Sequence, residues 1–82
     1  MAQLLFFGRL MDAVGTMEET IALPAAVRDT SALRKWLDED RGLGGALLEK
    51  TVRLAINSEI VADPHPVSDS DEIAFMPPVG GG

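Results

Sequence analysis

The chain is 82 residues long, 46% hydrophobic and 24% charged, with a formal net charge of −6. One core is all that such a length can close, and the acidity speaks against phosphate backbones and anionic headgroups, so neither nucleic acid nor a membrane is expected as a direct partner. There is no cysteine, which excludes disulfides, thiolate metal sites, thiol nucleophiles and a persulfide on a side chain. No apolar run reaches the roughly 20 residues that span a bilayer, and no basic-then-apolar leader opens the sequence, so a cytoplasmic location is expected.

From Gln3 to Leu10 the succession Leu4, Leu5, Phe6, Phe7 predicts a strand with apolar groups on both faces. Val14-Gly15-Thr16 predicts a turn. Glu19, Ile21 and Leu23 alternate with Thr20 and Ala22 until Pro24 stops the ladder, which predicts a second strand. Thr30 or Ser31 is expected to cap the next helix, with Asp29 set against its positive end; Leu33, Trp36 and Leu37 mark a buried face and Arg41-Gly42 the end. Leu43, Leu47 and Leu48 predict a second, shorter helix weakened by Gly44-Gly45. Val52, Leu54 and Ile56 predict a third strand, and Asn57-Ser58 a tight turn into Ile60-Val61. After the irregular Asp63-Pro64-His65-Pro66, Asp69-Ser70-Asp71 turns the chain into a last strand, Glu72 to Met76, which Pro77-Pro78 closes.

This order predicts an α+β roll: five strands, with one main helix and one short helix on one face. Alternation along the strands turns Leu4, Phe6, Ile73 and Phe75 toward the helix, and Leu5, Phe7, Ala74 and Met76 away from it. One helical layer covers one face of a sheet. Phe7 and Met76, with Ile60, are therefore expected to form an exposed apolar patch.

Other polar groups have ordinary roles at this level. His65 has no second histidine or cysteine with which to share a metal and is expected at the surface. Asp69-Ser70-Asp71 lacks the glycine and distal glutamate of a calcium loop and reads as a turn; Asp38-Glu39-Asp40 reads as a solvated helix end. No metal site is expected.

The remaining feature is the end of the sequence. Residues 1–78 are expected to form the domain, and residues 79–82 a flexible carrier tail. Pro77-Pro78 fixes two φ angles and removes two amide donors, so the last strand stops and the chain leaves stiffly. Val79 and then Gly80, Gly81 and Gly82 follow, a segment thin enough to enter a narrow channel. A terminal carboxylate is a poor electrophile until it is activated. Adenylation would open the Gly82 carbonyl to a sulfur nucleophile, or to a thiol or amine. The chain itself lacks the means: there is no GxxxxGK[ST] loop, and the stretch from Gly42 fails GxGxxG because Leu47 occupies the last glycine position. No bound cofactor is expected, and the ATP would be used by a separate activating enzyme.

Leu4-Leu5-Phe6-Phe7, Val14-Gly15, Ala32-Leu33-Arg34, Ala55-Ile56-Asn57, Asp71-Glu72-Ile73-Ala74-Phe75, Pro77-Pro78-Val79 and Gly81-Gly82 together resemble the sulfur-carrier small subunits of molybdopterin synthase, which are ubiquitin-like β-grasp proteins with a mixed sheet. The resemblance implies a cycle in which an adenylating enzyme activates Gly82, a sulfurtransferase system converts it to a thiocarboxylate, and the sulfur passes to precursor Z (cyclic pyranopterin monophosphate) to build the molybdopterin dithiolene. It implies a large-subunit partner, in a heterotetramer of two small and two large subunits, that supplies the catalytic side chains of this sulfurtransferase complex. Gly80 and Gly81 would give the tail access, and Phe7, Ile60, Met76, Pro77, Pro78 and Val79 would meet the partner. The alternatives are a carrier on the same fold serving thiamin or thiolated tRNA, a ubiquitin-like modifier, or a non-covalent module with an inert tail.

Overall fold

Strand β1, Ala2–Phe6, lies one place in from the edge of a five-stranded sheet. The computed structural model describes residues 1–78. After β1 come α1 (Arg9–Val14), β2 (Glu18–Ile21), α2 (Thr30–Arg41), β3 (Arg53–Ile56), β4 (Glu59–Val61) and β5 (Glu72–Met76). The sheet order is β2-β1-β5-β3-β4. Only β1 and β5 run parallel; the other neighbours are antiparallel, so the sheet is mixed. The five strands and two helices follow the sequence expectation, but the short helix lies elsewhere.

The expected first strand, Gln3 to Leu10, ends at Phe6. Gly8 takes φ 55, a left-handed angle that glycine adopts without steric cost and that breaks the ladder. The chain then winds through α1 and stops at Gly15, also left-handed, whose N–H bonds the Met11 carbonyl. Leu10 thereby reaches the core, only 3% exposed. The short helix expected at Leu43 to Leu48 is instead a series of turns. Gly44 and Gly45 both have positive φ, and Asp38 draws away two amides that a helix would use, accepting from the N–H groups of Gly45 (2.8 Å) and Leu47 (3.0 Å). Asp38 is therefore buried, not solvated; Glu39 and Asp40 are exposed as expected.

Helix α2 covers one face of the sheet with Leu33 and Leu37, both wholly buried one helical turn apart, while Trp36 packs at the edge of the core. Its N-cap is Asp29, whose carboxylate accepts from Ala32 N–H at 2.8 Å. The hydroxyls of Thr30 and Ser31, expected to cap, donate instead to Asp63. Under the helix, the rings of Phe6 and Phe75 stack 5.1 Å apart. Fully burying such side chains contributes roughly 1.5–3 kcal/mol each. Asn57 and Ser58, at φ 51 and 73, form the two-residue turn between β3 and β4; positive φ at both central positions matches the twist of a hairpin.

Ion pairs fasten the periphery. Arg41, in the last turn of α2, grips Glu19 of β2 with Nη1 and Nη2, the two terminal guanidinium nitrogens. That paired hydrogen bond holds the Glu19 carboxyl below its ordinary range and raises Arg41. Asp69 accepts from Leu23 N–H and meets the N-terminal ammonium at 3.2 Å. Asp71 accepts from Asn57 Nδ2 (2.9 Å) and Ser68 N–H (2.8 Å). The Asp69-Ser70-Asp71 turn thus uses its carboxylates on backbone and amide donors, and among the described residues no group of three potential ligands could hold a metal.

Candidate functional site

The face of the sheet opposite α2 has no layer over it among the described residues. Register places Leu5 beside Ala74, Ala74 beside Ala55, and Ala55 beside Ile60, one apolar row across four strands. Next to it, Met76 pairs with Arg53. The Phe7 N–H bonds the Phe75 carbonyl at 3.1 Å, which carries the β1–β5 ladder one residue further and sets the Phe7 side chain on the same face as Leu5. Phe7 is 43% exposed, Ile60 64%, and Met76 half-buried.

Phe7, Ile60 and Met76, picked out by alternation in the sequence, are thus brought to one face. Leu5, Ala55 and Ala74 form the floor between them, and their contribution is the part the three-residue patch omitted. The signal was present in the period of two, since Ala55 and Ala74, themselves buried among their neighbours, alternate with the core residues Leu54, Ile56, Ile73 and Phe75. At the central positions alanines keep the floor low, so a partner can approach the strands closely. Glu18 on β2, bonded to Gln3 Nε2 at 2.9 Å, and Arg53 on β3 place charges at the rim.

Pro77 and Pro78 are half-buried beside this patch. A Cβ built on Gly8 would lie 2.9 Å from Pro77 Cγ, so the backbone after β1 forms the seat of the first proline. The chain therefore leaves β5 against Gly8, the residue after Phe7. The expected tail residues Val79, Gly80, Gly81 and Gly82 lie outside the described residues.

The other sequence candidates do not converge on this place. His65 sits in the loop before β5, with Nδ1 2.8 Å from the Pro66 carbonyl and its own N–H given to Thr30 Oγ1. No helix among the described residues is long and apolar enough to cross a membrane. What this face offers is an apolar platform beside the point where the chain leaves β5.

The ThiS family profile matches residues 4–82. The chain belongs to the ThiS family. It is 36% identical over 83 residues to the molybdopterin synthase sulfur carrier subunit of Escherichia coli (strain K12), covering all of both chains. Among solved structures it is similar to one described as a protein-protein complex of subunits 1 and 2 of molybdopterin-converting factor from Helicobacter pylori 26695, with 28% identity, a TM-score of 0.65, and 99% of this chain and 97% of that chain covered. SAMP1 from Haloferax volcanii superposes with a TM-score of 0.78 at 17% identity, covering 99% and 98%; this likeness shows the family's ubiquitin-like β-grasp fold alone.

Proposed function

We propose that this chain is the sulfur carrier of a molybdopterin synthase. The observation that carries the reading is the junction of the apolar face with the Pro77-Pro78 exit, in a chain whose full-length relative bears that name. In this reading a separate enzyme uses ATP to adenylate the Gly82 carboxylate, releasing pyrophosphate. A sulfur nucleophile supplied by a sulfurtransferase system displaces AMP and leaves a thiocarboxylate. The carrier docks through Phe7, Ile60 and Met76, with Pro77, Pro78 and Val79 directing the tail. Gly80 and Gly81 let it thread into a large subunit, where sulfur passes to precursor Z. Two carriers would flank a dimer of large subunits.

Magnitudes assign the tail a second duty. Full burial of three side chains such as Phe7, Ile60 and Met76 would contribute roughly 5–9 kcal/mol. All three are already partly covered in the free chain, so docking gains less than this, while association with ordering of the tail costs about as much as the full figure. Hydrogen bonds along the inserted tail then supply much of the net affinity. A truncation lacking Val79 to Gly82 should bind the large subunit clearly more weakly than the full chain by calorimetry; equal affinity would refute that duty.

Intact mass of the C-terminal peptide, from cells containing the activating enzyme, tests the function itself. Exchange of one oxygen for sulfur at Gly82 supports the carrier. An isopeptide remnant would make the chain a protein modifier, and an unmodified carboxylate an inert module.

A further inference from the structure

A second surface lies on the helical side, away from the sheet face. Ser31, Arg34 and Lys35 of α2, Leu48 and Lys50 of the loop that follows, and Asp63 line a cleft of about 420 Å³. Lys35 and Lys50 are the only lysines of an otherwise acidic chain. Both are exposed, and neither has a carboxylate within ion-pair distance among the described residues.

The cleft is held rigid from below. Arg34, buried to about nine-tenths, donates Nη1 to the carbonyls of Leu47 (3.3 Å) and Glu49 (3.2 Å) and Nη2 to that of Val52 (2.7 Å). It thereby staples the wall that carries Leu48 and Lys50 to the helix that carries Lys35. Its Nε makes no hydrogen bond and lies 3.8 Å from Asp63 Oδ1. Asp63 is committed to the same staple. Although burial opposes its charge, the Thr30 and Ser31 hydroxyls and Arg34 together hold its carboxyl below the ordinary range. Asp63 and Arg34 balance each other, and the two lysines, which make no ion pair among the described residues, are the cationic groups of the lining left to meet a carboxylate. Leu48, 48% exposed, presents an apolar side chain in the same lining.

We propose that this cleft is a docking site for an acidic segment of a partner protein, in which a hydrophobic side chain is flanked by carboxylates. Leu48 takes the apolar group, and Lys35 and Lys50 take the carboxylates. Leu48 favours a peptide over a compact polyanion, and so does Asp63, whose charge would repel a phosphate cluster seated at the centre but is bypassed by carboxylates spaced along an extended chain. Because the site lies on the helical side, it stays open while the sheet face is occupied, and it does not depend on what the tail carries.

Titration of the isotopically labelled full chain with the peptide Glu-Glu-Leu-Glu-Glu, followed by amide chemical shifts, tests this. Saturable shifts are expected at Ser31, Lys35, Leu48 and Lys50, with Leu5, Phe7 and Ile60 unmoved. The double variant Lys35→Gln, Lys50→Gln, which removes only exposed charges and keeps the spectrum of the folded chain, should weaken binding about fivefold, as two exposed ion pairs warrant. Leu48→Ser should weaken it further, and added salt should weaken it in the wild type. Shifts that centre on the sheet face, or an affinity unchanged in the double variant, overturn the proposal. So does an equal response to inorganic phosphate at the same concentration, which would mark a small-anion site.

Discussion

The two faces of the sheet are written in the same strands and serve opposite ends. On β5, Ile73 and Phe75 point into a core closed by α2, while Ala74 and Met76 look out from the uncovered face. On β1, Leu4 and Phe6 are wholly buried, and Leu5 and Phe7 belong to the open side. Both faces carry an apolar row, although the open one also holds Gln3, Glu18, Arg53 and Glu72. What separates them is the single helical layer. A chain this small cannot cover both faces, so apolar residues on the second are free to be specified by a partner. The core face sets stability; in the proposed function the open face with its proline exit sets recognition.

The sharpest separation is expected at residues 79–82, where the proposed chemistry lies. One residue appended after Gly82 should abolish thiocarboxylate formation, read by intact mass, and leave the melting temperature unchanged. Sulfur loading on a blocked C-terminus would contradict the division of labour.

Adjacent faces can then be set against each other. Phe75→Ala removes one of two stacked rings and should cost about 3–5 kcal/mol in denaturant unfolding. Ile60→Asp, on the open face at the edge strand, should leave stability within about 0.5 kcal/mol yet weaken binding of the large subunit about tenfold to a hundredfold. A folded Ile60→Asp that binds as well as the wild type would show that the open face is not the recognition surface.

Much of this was legible because strand alternation is local. Leu4 against Leu5, and Phe75 against Met76, can be assigned from spacing alone, and so can the Asn57-Ser58 hairpin. The errors share a different origin. Thr30 looks like a cap, but its hydroxyl is claimed by Asp63, 33 residues away, leaving the cap to Asp29. Asp38 looks like solvated charge until the loop after α2 curls back and gives it two amides. Gly8 hides a break inside an apolar run because Phe7 and Leu10 are apolar for separate reasons, one facing the open side and the other the core. Each miss involves a contact or a backbone angle that residue type and spacing do not encode.

Asp38 therefore makes the loop part of the core-face ledger. Asp38→Ala strands the Gly45 and Leu47 amides, and should cost roughly 1–3 kcal/mol while leaving the open face competent for binding. Equal unfolding midpoints for Asp38→Ala and the wild type would show that water satisfies those amides.

A smaller effect joins β2 to α2. Glu19 has its carboxyl lowered in the folded state by Arg41, so its contribution is complete above the unfolded value of about 4.3 and is lost as pH falls through the lower folded value. Glu19→Gln should cost up to about 1 kcal/mol at neutral pH and flatten the acid limb of a stability-against-pH curve. An acid limb of undiminished steepness would assign that titration to Asp63, Asp69 and Asp71, which are also lowered.

The least effect is expected at the hairpin beside Ile60. Ser58 holds φ 73 with a Cβ, a conformation that costs an L-residue roughly 1–2 kcal/mol and glycine far less. Against this, glycine at position 58 raises the entropy of the unfolded chain, an opposing change of roughly 0.5–1 kcal/mol. The balance favours Ser58→Gly by up to about 1 kcal/mol, measured as a shift of the denaturant midpoint at constant slope. Because the turn also fixes the register that sets Ile60 beside Ala55, the same variant should bind the large subunit no more weakly than the wild type. A more stable chain that binds worse would mean that the open face needs give in the β3–β4 hairpin, a property the core face does not share.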